Sequence, residues 1–506
     1  MSGESAGENK TVLSGDLERT AARLHSRYNP HAEAKRYIDA LDLDGGIEYF
    51  ILIEPGLGYV IPVLKSRYPD STIIILHADN CFRNACPPLP HTDGIPVWYP
   101  DSGITVQDFL EGEMPGIEAA LIRIIEWRPS LSVYGKACLK LVSAAVEFIR
   151  RAEAGRRTAA MFGRRWIKNF FRNTGLVRRA LRFRPMKKPV VITGSGPGLE
   201  NALPEICAMR EKVFILAASS SLLALGERGI QPDMVISTDG GSWALLHLYS
   251  CFRVPAKTAS ANGTERLALS LFAALPSQCV DFPFLILNEG SLWQNIVLNA
   301  LGIPSIIIPQ RGTVTASALD LALALSGGNI YLAGMDLAVR DIRTHVRPYG
   351  FDYLFSGAAS RLSPVYSQYF TRSTGMKQGG SHTVYAEWFK NQLATWPRRI
   401  FSLGGNHAVF EERFQAICAG NFDNDCVNNY FTTETVSENP AERVRRGTAA
   451  LCAALGGSKY GRTLCGELSP LLFPGEKNIQ ADRIQAELGA MVSRYTGAYG
   501  GQALFF

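Results

Sequence analysis

The sequence predicts an α/β protein with a central, mostly parallel Rossmann-like sheet, a smaller α/β domain before it and a helical region after it. Short apolar runs alternate with segments of helical length, as in successive βαβ units. Two glycine-rich turns, EPGLGY at 54–59 and GSGPGL at 194–199, each follow an apolar run and precede a helical pattern. The 506 residues, 46% of them hydrophobic, suffice for about three domains with large cores.

The first region, residues 1–128, is predicted to be a Rossmann-like domain. Strands are expected at Ile51–Ile53, Ile73–Leu76 and Ile95–Tyr99, with a helix at about Tyr59–Arg67. Asp79 follows the second strand, where an acidic residue can bind the ribose of a nucleotide or of S-adenosylmethionine. A single G-x-G turn is weak support for a ligand, so a scaffold with an empty pocket is the favoured interpretation.

A basic helical linker is predicted at residues 129–187. Between Arg150 and Lys188 there are fourteen Lys or Arg residues and one acid, so this segment carries +13 and the rest of the chain −7. Phe162, Trp166 and Phe170 are spaced i, i+4 and i+8, which predicts an aromatic helix face that packs on a neighbouring domain. We interpret the basic face as flanking an anionic-ligand site; membrane-surface or nucleic-acid binding is the alternative, and no nucleic-acid partner is expected.

Residues 188–410 are predicted to form a nucleotide-binding catalytic domain. Its strands are expected at Val190–Thr193, Val213–Ala217, Met234–Ser237, Phe284–Leu287, Ser305–Ile308 and Asn329–Leu332. The helix at Thr315–Ser326 has Asp320 as its one charged residue, which predicts that it is buried. The polar stretch SGAASRLSPVYSQYF at 356–370 is predicted to be an active-site loop or lid. Residues 411–506 are expected to be helical, chiefly at Ala441–Leu455 and Ile479–Tyr495.

Cysteine usage and hydropathy exclude several classes of protein. The ten cysteines are scattered singly, and the closest pair, Cys81 and Cys86, fits neither a zinc nor a redox motif. Reduced thiols and no structural metal are therefore expected. The polar start lacks the pattern of a secretory signal, and no apolar run reaches 18 residues. We expect a cytoplasmic protein without a membrane span.

The turn GSGPGL has the features of a phosphate-binding turn. Gly194, Gly196 and Gly198 allow a ligand to approach the backbone closely, and a helix opens directly after them. Its first amides and its dipole favour a phosphate; because Pro197 cannot donate, the amides of Gly196 and Gly198 are the expected donors. No Walker lysine follows, which argues against a P-loop kinase, and a plain tight turn is the alternative.

Two aspartates follow buried strands. Asp239 stands just past a strand in GIQPDMVISTDGG, and Asp336 ends LAGMD. Ligands bind at the carboxyl ends of strands in open α/β sheets, so Asp239 is placed to contact a ribose, a metal or a sugar. Capping of the following helix is the alternative for Asp239.

A third patch, QRGTVTASALDLAL, adds Gly312, which lets a backbone approach the ligand, and Thr313 or Thr315 as a helix cap. His345 follows in a polar loop and is a candidate general base near neutral pH. A solvated loop histidine is the alternative that composition alone favours.

The order of the motifs GSGPGL, GIQPD…STD, RGTVTASALDLA and LAGMDLA…TH resembles the MptE-like domain of the motility accessory factor (Maf) flagellin glycosyltransferases. The segments WIKNFFRN and EPGLGY also resemble the Maf layout. One position departs from the pattern, because this chain has Gly198 where the family usually has Ser. The resemblance covers about residues 45–410, and 190–350 carries its specific motifs.

The resemblance implies a fold similar to that of sialyltransferases that use CMP-sialic acid. It implies transfer of a nonulosonic acid, of the pseudaminic or legionaminic type, from a CMP-sugar to Ser or Thr of flagellin, with no cofactor required and no metal ligands. The residues it implies for nucleotide binding are Gly194, Ser195, Gly196, Pro197, Gly198, Ser219, Asp239, Gly312 and Thr313. The catalytic residues it implies are His345, as the base, with Asp239 and Asp336.

Two alternatives remain. MptE itself resembles a 6-hydroxymethylpterin diphosphokinase that uses ATP and Mg²⁺, and here Asp239 and Asp336 would be the nearest carboxylates for the metal. The large N-terminal unit and the helical tail argue against that reaction. The other alternative is a non-catalytic assembly factor that binds flagellin through its aromatic face and its C-terminal helices.

Overall fold

A computed structural model describes residues 22–499 except 44–45, 84–91, 115–118, 254–265, 310, 338, 379–385, 387–388, 391–396, 398, 405–426, 458–459 and 477–478. The chain divides into two compact units, Met1–Ala159 and Ala160–Phe506. No helix within the described ranges is both long and apolar enough to cross a membrane.

The first unit contains a four-stranded parallel sheet of order β3-β2-β1-β4. The strands are β1 (Tyr49–Ile53), β2 (Thr72–Leu76), β3 (Val97–Trp98) and β4 (Ile122–Glu126). Alternate residues of β1 enter cores on opposite faces, since Phe50 and Leu52 pack on one side and Ile51 and Ile53 on the other. The helices are α1 (Pro30–Asp39), α2 (Val60–Arg67), α3 (Val106–Glu113) and α4 (Arg128–Tyr134), and α5 (Lys136–Leu176) begins in this unit and ends in the second.

The first glycine turn is filled by the protein itself. The amide of Leu57 donates to Nε2 of the buried His25 at 2.9 Å, and a Cβ on Gly56 would lie 2.4 Å from the same nitrogen. Asp79 accepts from the amide of Cys81 at 2.7 Å. The βαβ unit is therefore confirmed; the scaffold with an empty pocket stays the favoured interpretation, and a ligand at Asp79 stays the alternative.

The second unit is built on a large sheet of order β13-β12-β6-β7-β8-β9-β10-β5-β14, in which β11 also pairs with β10. Every pair is parallel except β14 with β5, so the expected mostly parallel α/β fold is confirmed. The strands are β5 (Arg179–Phe183), β6 (Val190–Thr193), β7 (Phe214–Ala218), β8 (Met234–Ser237), β9 (Leu267–Ser270), β10 (Pro283–Asn288), β11 (Ser305–Ile307), β12 (Ile330–Ala333), β13 (Ile400–Leu403) and β14 (Phe431–Thr435).

The helices of this unit are α6 (Leu199–Ala208), α7 (Leu222–Glu227), α8 (Leu245–Arg253), α9 (Leu292–Leu301), α10 (Val314–Leu325), α11 (Asp352–Gly357), α12 (Val365–Gln378), α13 (Pro440–Gly456), α14 (Gly461–Leu472) and α15 (Ala481–Tyr499). As predicted, α10 is buried, and its Asp320 pairs with Arg311 at 2.8 Å. The stretch predicted as a loop at 356–370 is helical at both ends, in α11 and α12, and only residues 358–364 connect the two helices without helical structure. The sequence gives no clear helical pattern for α12, because its apolar and polar residues are not separated onto opposite faces of the helix.

The aromatic residues of α5 lie in the part of the helix that belongs to the second unit, and they pack on other residues of that unit. The Trp166 ring stacks on Phe272 with centroids 5.5 Å apart, and Phe170 meets Trp293 at 4.5 Å. Asn169 of the same helix donates to the carbonyls of Gly240 and Phe272. The end of α5 is thereby fixed beside the residues that follow β8.

The buried Arg443 holds α13 against the end of α5. It is 1% exposed and donates to the carbonyls of Thr174, Gly175 and Val177, and also to those of Val436 and Glu438. Those carbonyls at a helix C-terminus have no partner within the helix, so a guanidinium is a suitable donor for them.

Candidate functional site

The glycine turn after β6 is closed by the segment that follows β12. Gly194 donates to the carbonyl of Ala333 and Gly196 to the carbonyl of Gly334, both at 2.7 Å. The amide of Gly198 donates to Oδ2 of Asp336 at 2.7 Å. Two of the predicted site segments are therefore bonded to each other through their backbones and one carboxylate.

These bonds differ from what the sequence led us to expect. The amides of Gly196 and Gly198, the expected phosphate donors, already have partners inside the protein. A phosphate would reach the Gly198 amide only after the Asp336 carboxylate has left it. The assignment of this turn to a phosphate thus stays a prediction, with Asp336 now occupying the place of the anion.

Asp336 also accounts for the glycines themselves. A Cβ on Gly196 would lie 2.3 Å from Oδ2 of Asp336, and a Cβ on Gly198 would lie 2.0 Å from Oδ1. Gly198 has φ −65° and ψ −17°, which any residue adopts. The need for glycine at 198 therefore comes from the carboxylate and not from the backbone conformation.

Ser195 and Pro197 complete the turn. The carbonyl of Ser195 accepts from the amide of Val346 at 2.8 Å, and the carbonyl of Pro197 accepts from Glu200 at 3.3 Å. Val346 follows His345 in the chain. The loop that carries the candidate base is thus bonded directly to the glycine turn.

The start of α10 packs on the same turn. Thr313 caps the helix by accepting from the amide of Ala316 at 3.1 Å, and Gly312 precedes it with φ +79°. The Cγ2 of Thr315 would lie 3.1 Å from a Cβ on Gly194. The predicted cap is confirmed, and Gly194 is confined between Thr315 and Gly334.

Ser219 and Asp239 follow the neighbouring strands β7 and β8. Ser219 is buried in a single 3₁₀ turn, and its neighbour Ser221 lies 2.8 Å from the hydroxyl of Thr193. Asp239 is exposed, and its Oδ1 accepts from the amide of Gly241 at 2.8 Å. Asp239 therefore closes a local turn and keeps its carboxylate at the surface.

His345 lies at this edge of the sheet. Its Nδ1 is 2.8 Å from Oγ1 of Thr344, and its ring stacks on Tyr349 with centroids 4.1 Å apart and planes 15° from parallel. The loop is also held by Glu200 of α6. The carboxylate of Glu200 pairs with Arg343 at 2.9 Å and accepts a hydrogen bond from the amide of Arg347. Both ends of the His345 loop are therefore anchored to α6.

A second histidine, His247, belongs to the same cluster and was not predicted. The hydroxyl of Tyr349 is 3.4 Å from its Nε2, and the ring of Phe351 stacks on it with centroids 4.8 Å apart. Burial lowers the pKa of His247 to about 4, against an opposing effect of Asp239. In the sequence His247 stands within LLHLYSCF, which is typical of a core helix and carries no motif.

The tyrosine between the two histidines is also held in its uncharged form. Burial raises the pKa of Tyr349 to about 12, with Asp352 and Asp239 acting in the same direction. The neutral phenol of Tyr349 therefore lies between the ring of His345 and the neutral imidazole of His247. Because Asp239 acts on the pKa of both Tyr349 and His247, this contact connects His345 with Asp239.

The predicted residues thus form two connected groups. Gly194, Ser195, Gly196, Pro197, Gly198, Gly312, Thr313 and Asp336 surround the ends of β6 and β12, whereas Ser219 and Asp239 follow β7 and β8. His345 contacts the first group through Val346 and is connected to the second through Tyr349. The described ranges contain no group of three or more His, Cys, Asp or Glu residues that could hold a metal ion.

The chain is similar to a protein of known sequence, to a solved structure and, over part of its length, to a protein family. An uncharacterized protein of Treponema pallidum (strain Nichols) is 27% identical over 305 residues, which make up 60% of this chain and 65% of that protein. The structure of MAf glycosyltransferase from Magnetospirillum magneticum AMB-1 aligns with 97% of this chain and 79% of its own, at TM-score 0.46 and 15% identity. Residues 164–341 match the family model described as 6-hydroxymethylpterin diphosphokinase MptE-like.

That match begins in α5, contains the glycine turn, Asp239 and Asp336, and ends four residues before His345. The predicted MptE-like domain is confirmed over these residues: the core of the second unit of this chain is an MptE-like domain.

Proposed function

We propose that this protein is a glycosyltransferase that moves an acidic nine-carbon sugar of the nonulosonic type from a CMP-sugar to a Ser or Thr hydroxyl of flagellin. The MptE-like domain and the order of its four motifs support a transferase that uses a nucleotide. The observation that carries the proposal is the bond from the Val346 amide to the Ser195 carbonyl, which brings the His345 loop to the glycine turn. A cytoplasmic location is part of the proposal.

The chemistry follows from these positions. The acceptor oxygen forms a bond to the anomeric carbon of the sugar, the bond from that carbon to the phosphate oxygen breaks, and CMP leaves as an anion. The proton of the acceptor hydroxyl goes to His345, whose base catalysis is worth roughly 10²–10⁴-fold in rate.

Ligand binding tests the proposal first. Thermal unfolding is measured with CMP, with CDP and with ATP plus Mg²⁺, and CMP is expected to raise the midpoint. The mass of intact flagellin from cells with and without this gene then tests transfer. An unchanged flagellin mass would refute the acceptor, and the absence of any nucleotide effect would favour the non-catalytic flagellin-binding factor.

A second candidate is favoured by the description of the matching family, which is a 6-hydroxymethylpterin diphosphokinase. That reaction uses ATP, and Mg²⁺ would be held by Asp239 and Asp336. One oxygen of each carboxylate accepts a backbone amide, which leaves the other oxygen of each to bind the ion. Stabilisation by ATP and Mg²⁺ but not by CMP would support the diphosphokinase and contradict the glycosyltransferase.

A further inference from the structure

Arg372, on α12, lies at the His345 end of the site and is held by aromatic rings. Its guanidinium carbon is 5.6 Å from the ring centre of Phe351 and 5.4 Å from that of Phe355. A cation over aromatic faces is attracted by the ring quadrupole and keeps N–H donors for a further partner. No carboxylate among the described residues forms an ion pair with it.

The charge of Arg372 acts on the cluster around His345. Burial is the main cause of the low pKa of His247, and Arg372 lowers it further. The same guanidinium opposes the rise in pKa that burial produces at Tyr349 and Tyr369. Arg372 is therefore near the phenol on which the His345 ring stacks.

The carboxylates on this side of the site have other partners. Oδ2 of Asp352 accepts from the amide of Tyr349 at 2.9 Å, and Oδ1 of Asp352 accepts from the hydroxyl of Tyr369. Oδ1 of Asp239 accepts from the amide of Gly241. Within the described residues, the positive charge of Arg372 is thus left without a directly bonded anion, beside the candidate base.

We propose that Arg372 binds an anionic group of the substrate at the His345 end of the site. The planar guanidinium matches both a carboxylate and a phosphate, which it can bind through two parallel hydrogen bonds. The anion is thus either the carboxylate of an acidic sugar or a phosphate of the nucleotide. This inference rests on the proposed glycosyltransferase function, and it names a residue that binds an anionic group of the donor.

The test compares the wild-type protein with Arg372→Gln and with a matched control, Arg228→Gln. Arg228 is exposed at the end of α7, and its replacement changes the net charge by the same amount. Calorimetric titration measures the affinity of each protein for CMP and for CMP-N-acetylneuraminic acid. Thermal unfolding without ligand checks that all three proteins are folded.

Arg372→Gln is expected to weaken the affinity for the acidic sugar nucleotide roughly tenfold or more, while Arg228→Gln binds it as the wild type does. A loss confined to CMP-N-acetylneuraminic acid identifies the sugar carboxylate as the anion, and an equal loss for CMP identifies the phosphate. Unchanged affinities in Arg372→Gln would overturn the inference alone. Failure of the wild type to bind either compound would overturn it together with the proposed function.

Discussion

Replacement of Gly198 by alanine tests the account of the glycine turn. The backbone conformation at Gly198 suits alanine, so the one obstacle is the Asp336 carboxylate, 2.0 Å from the position of the new Cβ. Asp336 must then give up its hydrogen bond to the Gly198 amide, which is worth roughly 1.5–3 kcal/mol as a bond to a charged group. Gly198→Ala should therefore lower the free energy of unfolding by about 2 kcal/mol.

A double-mutant cycle separates this cause from others. Asp336→Ala alone leaves the Gly198 amide without its partner and should cost about 1–3 kcal/mol. In that background Gly198→Ala meets no carboxylate and should be neutral or stabilising by up to about 1 kcal/mol, because alanine restricts the unfolded chain. The two substitutions should thus couple by about 2 kcal/mol.

The assay is urea unfolding of the four proteins in the cycle, with midpoints of thermal unfolding as a second measure. Gly466→Ala is the control: Gly466 lies within α14, and a Cβ there would meet no atom within 4 Å. It should stabilise the protein slightly through helix propensity. Additive effects of Gly198→Ala and Asp336→Ala, or a Gly198→Ala protein as stable as the wild type, would refute the reasoning.

Three further predictions concern single side chains. Burial lowers the pKa of His25 from 6.5 to about 4, so the folded state binds fewer protons than the unfolded one and stability is lost as pH falls from 6.5 to 4. His25→Gln should remove about 3 kcal/mol of that pH dependence, and denaturation curves at pH 7.5 and 4.5 check it. His345→Ala should abolish sugar transfer but keep CMP affinity in calorimetry; surviving transfer would exclude His345 as the base. Arg443→Met should destabilise the protein by roughly 3–5 kcal/mol in urea, since five carbonyls lose their donor; a loss below about 1 kcal/mol would contradict that role.

The strands with continuous apolar runs were predictable from the sequence. Val190–Thr193 and Met234–Ser237 have their expected bounds, because strands buried on both faces are apolar throughout. Five strands were not predicted: β4, β5, β9, β13 and β14. β5 carries two arginines and β14 is polar and exposed, and both lie at or next to the edge of the sheet. β9 is different, because it is buried throughout and central, but its four residues LALS are too short a run to be recognised as a strand.

Site residues that lie in a sequence motif were predictable, whereas residues that join the site only through tertiary packing were not. The motif order was enough to bring the glycine turn, Asp336 and His345 to one edge of the sheet. The bond from Asp336 to Gly198 joins the residues that follow two neighbouring strands, β12 and β6. The hydrophobic periodicity of the sequence gives no information about such a side-chain contact. His247 and Arg372 join the site through aromatic contacts between distant segments, and local sequence has no signal for such contacts.

The bond between Asp336 and Gly198 has a consequence for donor affinity. A phosphate that docks on this amide competes with a carboxylate that is permanently attached to the same chain. For the proposed CMP-sugar donor, an internal competitor worth roughly 1.5–3 kcal/mol would raise the apparent Kd about 10- to 150-fold over that of an open turn. After the proposed transfer, the same carboxylate would compete with the phosphate of the product CMP for the Gly198 amide.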